Sequence, residues 1–146
     1  MNILLDTNVV LDIIEKREPF YNNSIAALRL ISDINAECYF SASSAKDIFY
    51  LVKRHTGDLN RARNAIVSIS KFAIFCDTTK QDIQEAILSN IIDFEDAVLV
   101  ASAIRDKIDF IITRNVNDFT GSLIPVITPT EFLKQNQNDT PRNRRT

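Results

Sequence analysis

The chain has 146 residues, 45% of them apolar and 25% charged, with a net charge of −2. That length suits one domain that buries its own core, and the acidic balance argues against a general polyanion binder. No apolar run approaches the ~18 residues of a membrane span, and the start lacks a secretory pattern.

The first element is an apolar strand over 2–6, in which Ile3 to Leu5 run straight into Asp6. The pattern then predicts helices at 8–16 and 22–35, a strand at 37–41, and helices at 44–55 and 59–71. A strand at 73–76, helices at 80–89 and 94–107, and strands at 109–113 and 124–127 follow. Thr128-Pro129-Thr130-Glu131 orders a cap, a first-turn proline and an N3 glutamate, so a last helix starts there, over 130–135. In 94–107, the spacing of Ala97, Val100, Ala101, Ile104 and Ile108 predicts one buried face. The strands read as continuous apolar runs, as buried parallel strands do. Two glycines, Gly57 and Gly121, argue against a many-turned sandwich or barrel. The expected fold class is therefore α/β, three layers, with a central, mainly parallel sheet of about five strands. Residues 1–134 form the expected domain, and 135–146 read as a disordered polar, basic tail.

Charge is unevenly spread. The tail carries Arg142, Arg144 and Arg145 against Asp139, which leaves the body with 14 basic and 18 acidic residues. Asp6 ends the first strand, and Asp47 lies one turn into the helix after the second. Asp93 and Asp96 open a helix, and Asp118 follows the strand DFIITR. In open parallel sheets, sites form outside the carboxyl ends of strands, so these acids could meet in one crevice. Each also has a structural reading. Asp6 could cap the first helix. Ser44 to Asp47 fits a capping box, Asp93 and Asp96 stand in the cap-to-N3 relation, and Asp118 could be a loop residue. Asp6 follows directly on a buried strand, where an unpartnered carboxylate is costly. Taken together, hard carboxylate oxygens suit Mg²⁺ or Mn²⁺ as the missing countercharge. Cys38 and Cys76 read as buried thiols and His55 as a solvated surface residue.

With LLDTNVVLD at the start, DFEDAVLVASA at 93–103, DFIITRNVNDF at 109–119 and TPTEFL near the end, the chain resembles the PIN-domain family, especially its VapC-like toxin ribonucleases. The resemblance covers roughly residues 1–134. It implies a PIN-like fold and a Mg²⁺- or Mn²⁺-dependent endoribonuclease that leaves a 5′-phosphate. It further implies a toxin held by an antitoxin protein and a homodimer; the unpaired Cys38 and Cys76 separately fit a cytoplasmic location. The family's first and third acids fall on Asp6 and Asp96, the expected metal ligands. The second, usually glutamate, falls on Asp47, one methylene shorter. The fourth falls on Asn115 or on the nearby Asp118. Asn8 and Thr113 are expected to position ligands by hydrogen bonding, and Asp93 to support the site. Lys46, Lys53, Arg54, Arg61, Arg63 and Arg114 are candidate RNA-backbone contacts. Other classes fit less well: a haloacid-dehalogenase-type phosphatase needs an aspartate at position 8, and a receiver domain needs a lysine after the last strand. A PIN domain that has lost catalysis and serves as an RNA- or protein-binding module is the alternative.

Overall fold

The computed structural model describes residues 1–138. Five parallel strands, β1 (Asn2–Leu5), β2 (Glu37–Ser41), β3 (Ile74–Cys76), β4 (Phe110–Ile112) and β5 (Val126–Ile127), form one sheet in the order β3-β2-β1-β4-β5. Each of the five expected strands is present. Seven helices flank the sheet among the described residues: α1 (Thr7–Ile14), α2 (Tyr21–Asp33), α3 (Ala42–Thr56), α4 (Leu59–Phe72), α5 (Lys80–Ile87), α6 (Phe94–Arg105) and α7 (Pro129–Gln137).

Strand alternation sorts the core into two layers. Ile3 and Leu5 point into the cluster shared with α1 to α4 and Phe132 of α7, while Leu4 points into the cluster under α6. All three are at most 1% exposed, and burial of each side chain contributes roughly 1.5–3 kcal/mol. Because both faces are covered, the strands need apolar residues at consecutive positions. Cys38 and Cys76 are buried free thiols, as expected, and burial pushes them up to about 12 and about 11. No helix among the described residues is long and apolar enough to cross a membrane.

Several boundaries differ from the sequence reading for local reasons. Helix α3 starts at Ala42 after Ser41, so Ser44 and Asp47 lie inside it and form no capping box. Helix α7 opens on the expected box: Glu131 N donates to Thr128 Oγ1 at 3.1 Å, and Thr128 N donates to Glu131 Oε2 at 2.9 Å. It runs to Gln137, so the first residues of the expected tail are helical. Residues 139–146, the rest of that tail, lie outside the described residues. Helix α5 opens on a Thr79–Asp82 capping box that the sequence reading missed. Asp82 is buried, and Arg105 Nη2 stands 3.2 Å from it, tying α6 to α5. The buried face of α6 is also rotated from expectation. Leu99, Val100 and Ala103 are buried, while Ile104 is 47% exposed.

Candidate active site

That rotation places the site. Asp96, Leu99, Val100 and Ala103 stand at i, i+3, i+4 and i+7, so Asp96 heads the stripe that faces the sheet. Its helix is capped by Asp93, whose Oδ1 accepts from Asp96 N at 3.0 Å. The expected cap relation therefore holds, and it is the backbone of Asp96 that it uses. The carboxylate is left to face the carboxyl ends of the strands.

Asp6 sits at the centre of that edge. β1 lies between β2 and β4, where the order of connection reverses, and such switch points open a crevice above the strands. Asp6 caps α1, accepting from Thr7 N at 2.8 Å through Oδ1. Its other oxygen accepts from Thr113 Oγ1 at 2.8 Å and from Asn8 Nδ2 at 3.3 Å. Asn8 Nδ2 also donates to Thr113 Oγ1 at 3.1 Å, and Asn8 Oδ1 accepts from Arg114 N at 3.1 Å. Thr113 is fully buried and also accepts from Asn115 N at 3.1 Å. The cap reading of Asp6 holds through Oδ1, while Oδ2 is turned to Thr113 and Asn8. Thr113 and Asn8 both hydrogen-bond the Asp6 carboxylate.

A cavity of 420 Å³ opens beside this network, lined by Asp6, Asn8, Asp47, Glu95 and Asp96, with Arg17 and Tyr50 on its wall. The acids strain one another. Desolvation, then the negative charges of Asp6, Asp93, Asp118 and Glu95, push Asp96 up to about 7. Desolvation raises Asp6 against the pull of Thr113 and Thr7, and Asp118 adds to the rise. Glu95 is raised by desolvation, by the charge of Asp47 and by a side-chain hydrogen bond with Asp47. Like charges held together resist ionising, and a cation would relieve all three.

The structure therefore gathers Asp6, Asp47 and Asp96 around one cavity. Asp118, on the 3-10 helix Val116–Phe119, is exposed but close enough to act on Asp6 and Asp96 by charge. Asn115 offers its backbone N–H to Thr113. Glu95 was missed. It adjoins Asp96 in sequence, but neighbours on a helix point about 100° apart, so only the turn of α6 above the sheet shows that both reach the cavity. Asp12 was missed as well. It is fully buried and receives Arg114 Nε at 2.7 Å and Nη2 at 3.3 Å, with Arg17 Nε at 3.9 Å. Arg114 also stacks on Phe20, 3.8 Å from the ring centroid. Expected as an RNA contact, Arg114 is instead committed to Asp12 and Phe20. Lys46 and Arg54 are exposed on α3 and do not line the cavity. His55 is exposed, as expected, and pairs with Glu15 Oε1 at 2.8 Å.

As placed, no three His, Cys, Asp or Glu side chains among the described residues form a group that could hold a metal ion. The donor chemistry nonetheless suits a hard divalent cation. Asp6 and Asp96 bring carboxylates from two elements to one cavity, and their raised pKa values register an uncompensated cluster.

Five parallel strands between helical layers, with acids gathered at the carboxyl edge, define an α/β domain with a site at its switch point. A PIN-domain family model matches residues 2–117, and the chain belongs to the PIN-domain family. No curated protein sequence matches it. Among solved structures, it resembles VapBC2 from Rickettsia felis bound to a promoter DNA fragment, at 17% identity and a TM-score of 0.67. That similarity covers 87% of this chain and 97% of the other. It resembles a toxin-antitoxin complex from Klebsiella pneumoniae at 18% identity and a TM-score of 0.66, over 87% and 97% of the two chains. Mycobacterium tuberculosis VapC20, a Sarcin-Ricin loop cleaving toxin, is similar at 16% identity and a TM-score of 0.60, over 75% and 86%. At such identities the likeness is one of fold.

Proposed function

We propose that this protein is a metal-dependent endoribonuclease and the toxin of a toxin-antitoxin pair. The observation that carries the reading is the cavity at the switch point of a PIN domain, where Asp96 is pushed up to about 7 by Asp6 and other acids around it. Asp6 and Asp96 would hold Mg²⁺ or Mn²⁺. When bound, the ion supplies a Lewis acid that polarises the scissile phosphate and acidifies water. The chain's own residues do the rest. Thr113, Asn8 and the N-terminus of α1 fix both oxygens of Asp6. Asp93 supports Asp96 by holding its helix start. Asp47 and Glu95 line the same cavity, and a side-chain hydrogen bond between them, after desolvation and the charge of Asp47, holds the Glu95 carboxyl above its ordinary range. Asp118 completes the negative field. The antitoxin partner is carried over from the toxin-antitoxin complexes that share the fold, and the homodimer from the family resemblance.

Purified protein should cleave RNA with Mg²⁺ or Mn²⁺ and stop with EDTA, leaving 5′-phosphates. Asp6→Asn and Asp96→Asn should each nearly abolish cleavage while keeping the helical circular dichroism. The second reading is a binding module without catalysis, favoured by the absence, among the described residues, of a group of three acids placed to hold a metal ion. Full-strength metal-independent RNA binding with no cleavage would establish it.

A further inference from the structure

A polyanion entering a cavity lined with four acids needs a cation to seat its backbone. The lining includes one, Arg17. Arg17 follows α1 and is anchored from behind: its Nε lies 3.9 Å from Asp12, which is fully buried, and its side chain is 39% exposed. A guanidinium has five N–H donors, more than this single long contact uses. Asp12 therefore orients Arg17 without neutralising it alone, because Asp12 is shared with Arg114 at 2.7 Å.

Tyr50 lines the same cavity. It follows Asp47 by three residues on α3, so the two share a helix face. It is 61% exposed, a large aromatic left in solvent beside an acid cluster. Exposed aromatics beside a phosphate seat serve single-stranded nucleic acids as stacking platforms, because every base has a π-face.

Resting on the nuclease reading above, we propose that Arg17 and Tyr50 form a nucleotide subsite that selects unpaired RNA: Arg17 takes a backbone phosphate next to the scissile one, and Tyr50 stacks an adjacent base. A duplex keeps its bases stacked inside and cannot present one to Tyr50, so paired RNA is disfavoured.

The test uses the full chain carrying Asp96→Asn, with Mg²⁺, and a fluorescein-labelled ten-nucleotide RNA, single-stranded or annealed to its complement. Fluorescence anisotropy should show tighter binding of the single strand. Tyr50→Leu should weaken single-strand binding about tenfold and erase the preference, while Tyr50→Phe retains it. Arg17→Ala should weaken both and lower the salt slope by about one. Should Arg17→Ala fail to fold by circular dichroism, the exposed Tyr50 variants decide alone. Wild-type protein that neither binds nor cleaves RNA with Mg²⁺ or Mn²⁺ overturns the nuclease reading and the subsite together. Wild-type cleavage with unchanged single-strand binding in the variants overturns the subsite only. Unchanged RNA binding with a shifted sedimentation mass in Tyr50→Leu assigns Tyr50 to a protein interface and likewise overturns it.

Discussion

Thr113 Oγ1 donates a 2.8 Å hydrogen bond to Oδ2 of Asp6, joining the end of β4 to the end of β1 across the sheet's switch point. The same hydroxyl oxygen accepts from Asn8 and from Asn115 N. Partners of this kind orient a carboxylate ligand. Thr113→Val keeps the shape and removes the hydroxyl. We expect a 10- to 100-fold loss of metal-dependent cleavage and about 1–3 kcal/mol of stability, because buried donors lose their acceptor. Thr113→Ser should restore much of both. Single-turnover cleavage and denaturant melts measure the two losses.

Asp96 gives the metal-free protein an unusual pH dependence. Its folded pKa of about 7 lies above the ordinary 3.8, so the folded state binds the extra proton. Stability from this group is present below about pH 4 and is lost as pH rises toward 7. Asp6 and Glu95 are raised too and act in the same direction. In EDTA, the melting temperature should therefore fall between pH 5 and pH 8. Asp96 is only partly buried and so screened by solvent, and its share is about 1–2 kcal/mol rather than the full value of three pKa units. Asp96→Asn should flatten the fall, and Mg²⁺ or Mn²⁺ should raise the wild-type melting temperature most at pH 8. A melting temperature flat from pH 5 to 8 in EDTA would refute the cluster's repulsion.

Asp47 separates cleanly into charge and structure because it forms no cap at the start of α3. Asp47→Asn should change stability by less than about 0.5 kcal/mol, as exposed helix positions do. As a site acid it should instead lower cleavage at least tenfold and weaken Mn²⁺ binding. Glu95→Gln should lower cleavage by a similar factor, since the two carboxyls share a hydrogen bond. Retained activity with normal metal dependence in both variants would remove this wall from the site.

Asp12 and Arg114 form the buried ion pair behind the site, with Asp12 fully buried and the guanidinium at 2.7 Å. Arg114→Met removes one partner and leaves a buried carboxylate short of its countercharge. We expect a loss of about 3 kcal/mol, with Arg17 at 3.9 Å limiting the damage. Asp12→Asn with Arg114→Met should recover part of it. Equilibrium urea unfolding of the single and double variants gives the coupling directly.

Local signals in the sequence were enough for the element order. Apolar runs of strand length, helical spacing and the Thr128–Glu131 box placed five strands and seven helices, because each depends on neighbours a few residues away. The family segments marked Asp6 and Asp96, and buried burdens of charge made Asp6 hard to explain as surface. What the chain could not show by itself was which side chains share a space. Glu95 and Asp96 are adjacent in sequence, and only the rotation of α6 over the sheet turns both to one cavity. Asp12 and Arg114 are 102 positions apart. Their pairing consumes a cation that the sequence offered as an RNA-backbone contact, and Arg17 lines the cavity instead. The start of α3 moved to Ala42, which freed Asp47 from a capping role. Periodicity and capping are short-range properties that sequence spacing records. The convergence of carboxylates, and the partner each charge finds, depend on how β1 and β4 bring distant ends together, which only the tertiary structure decides.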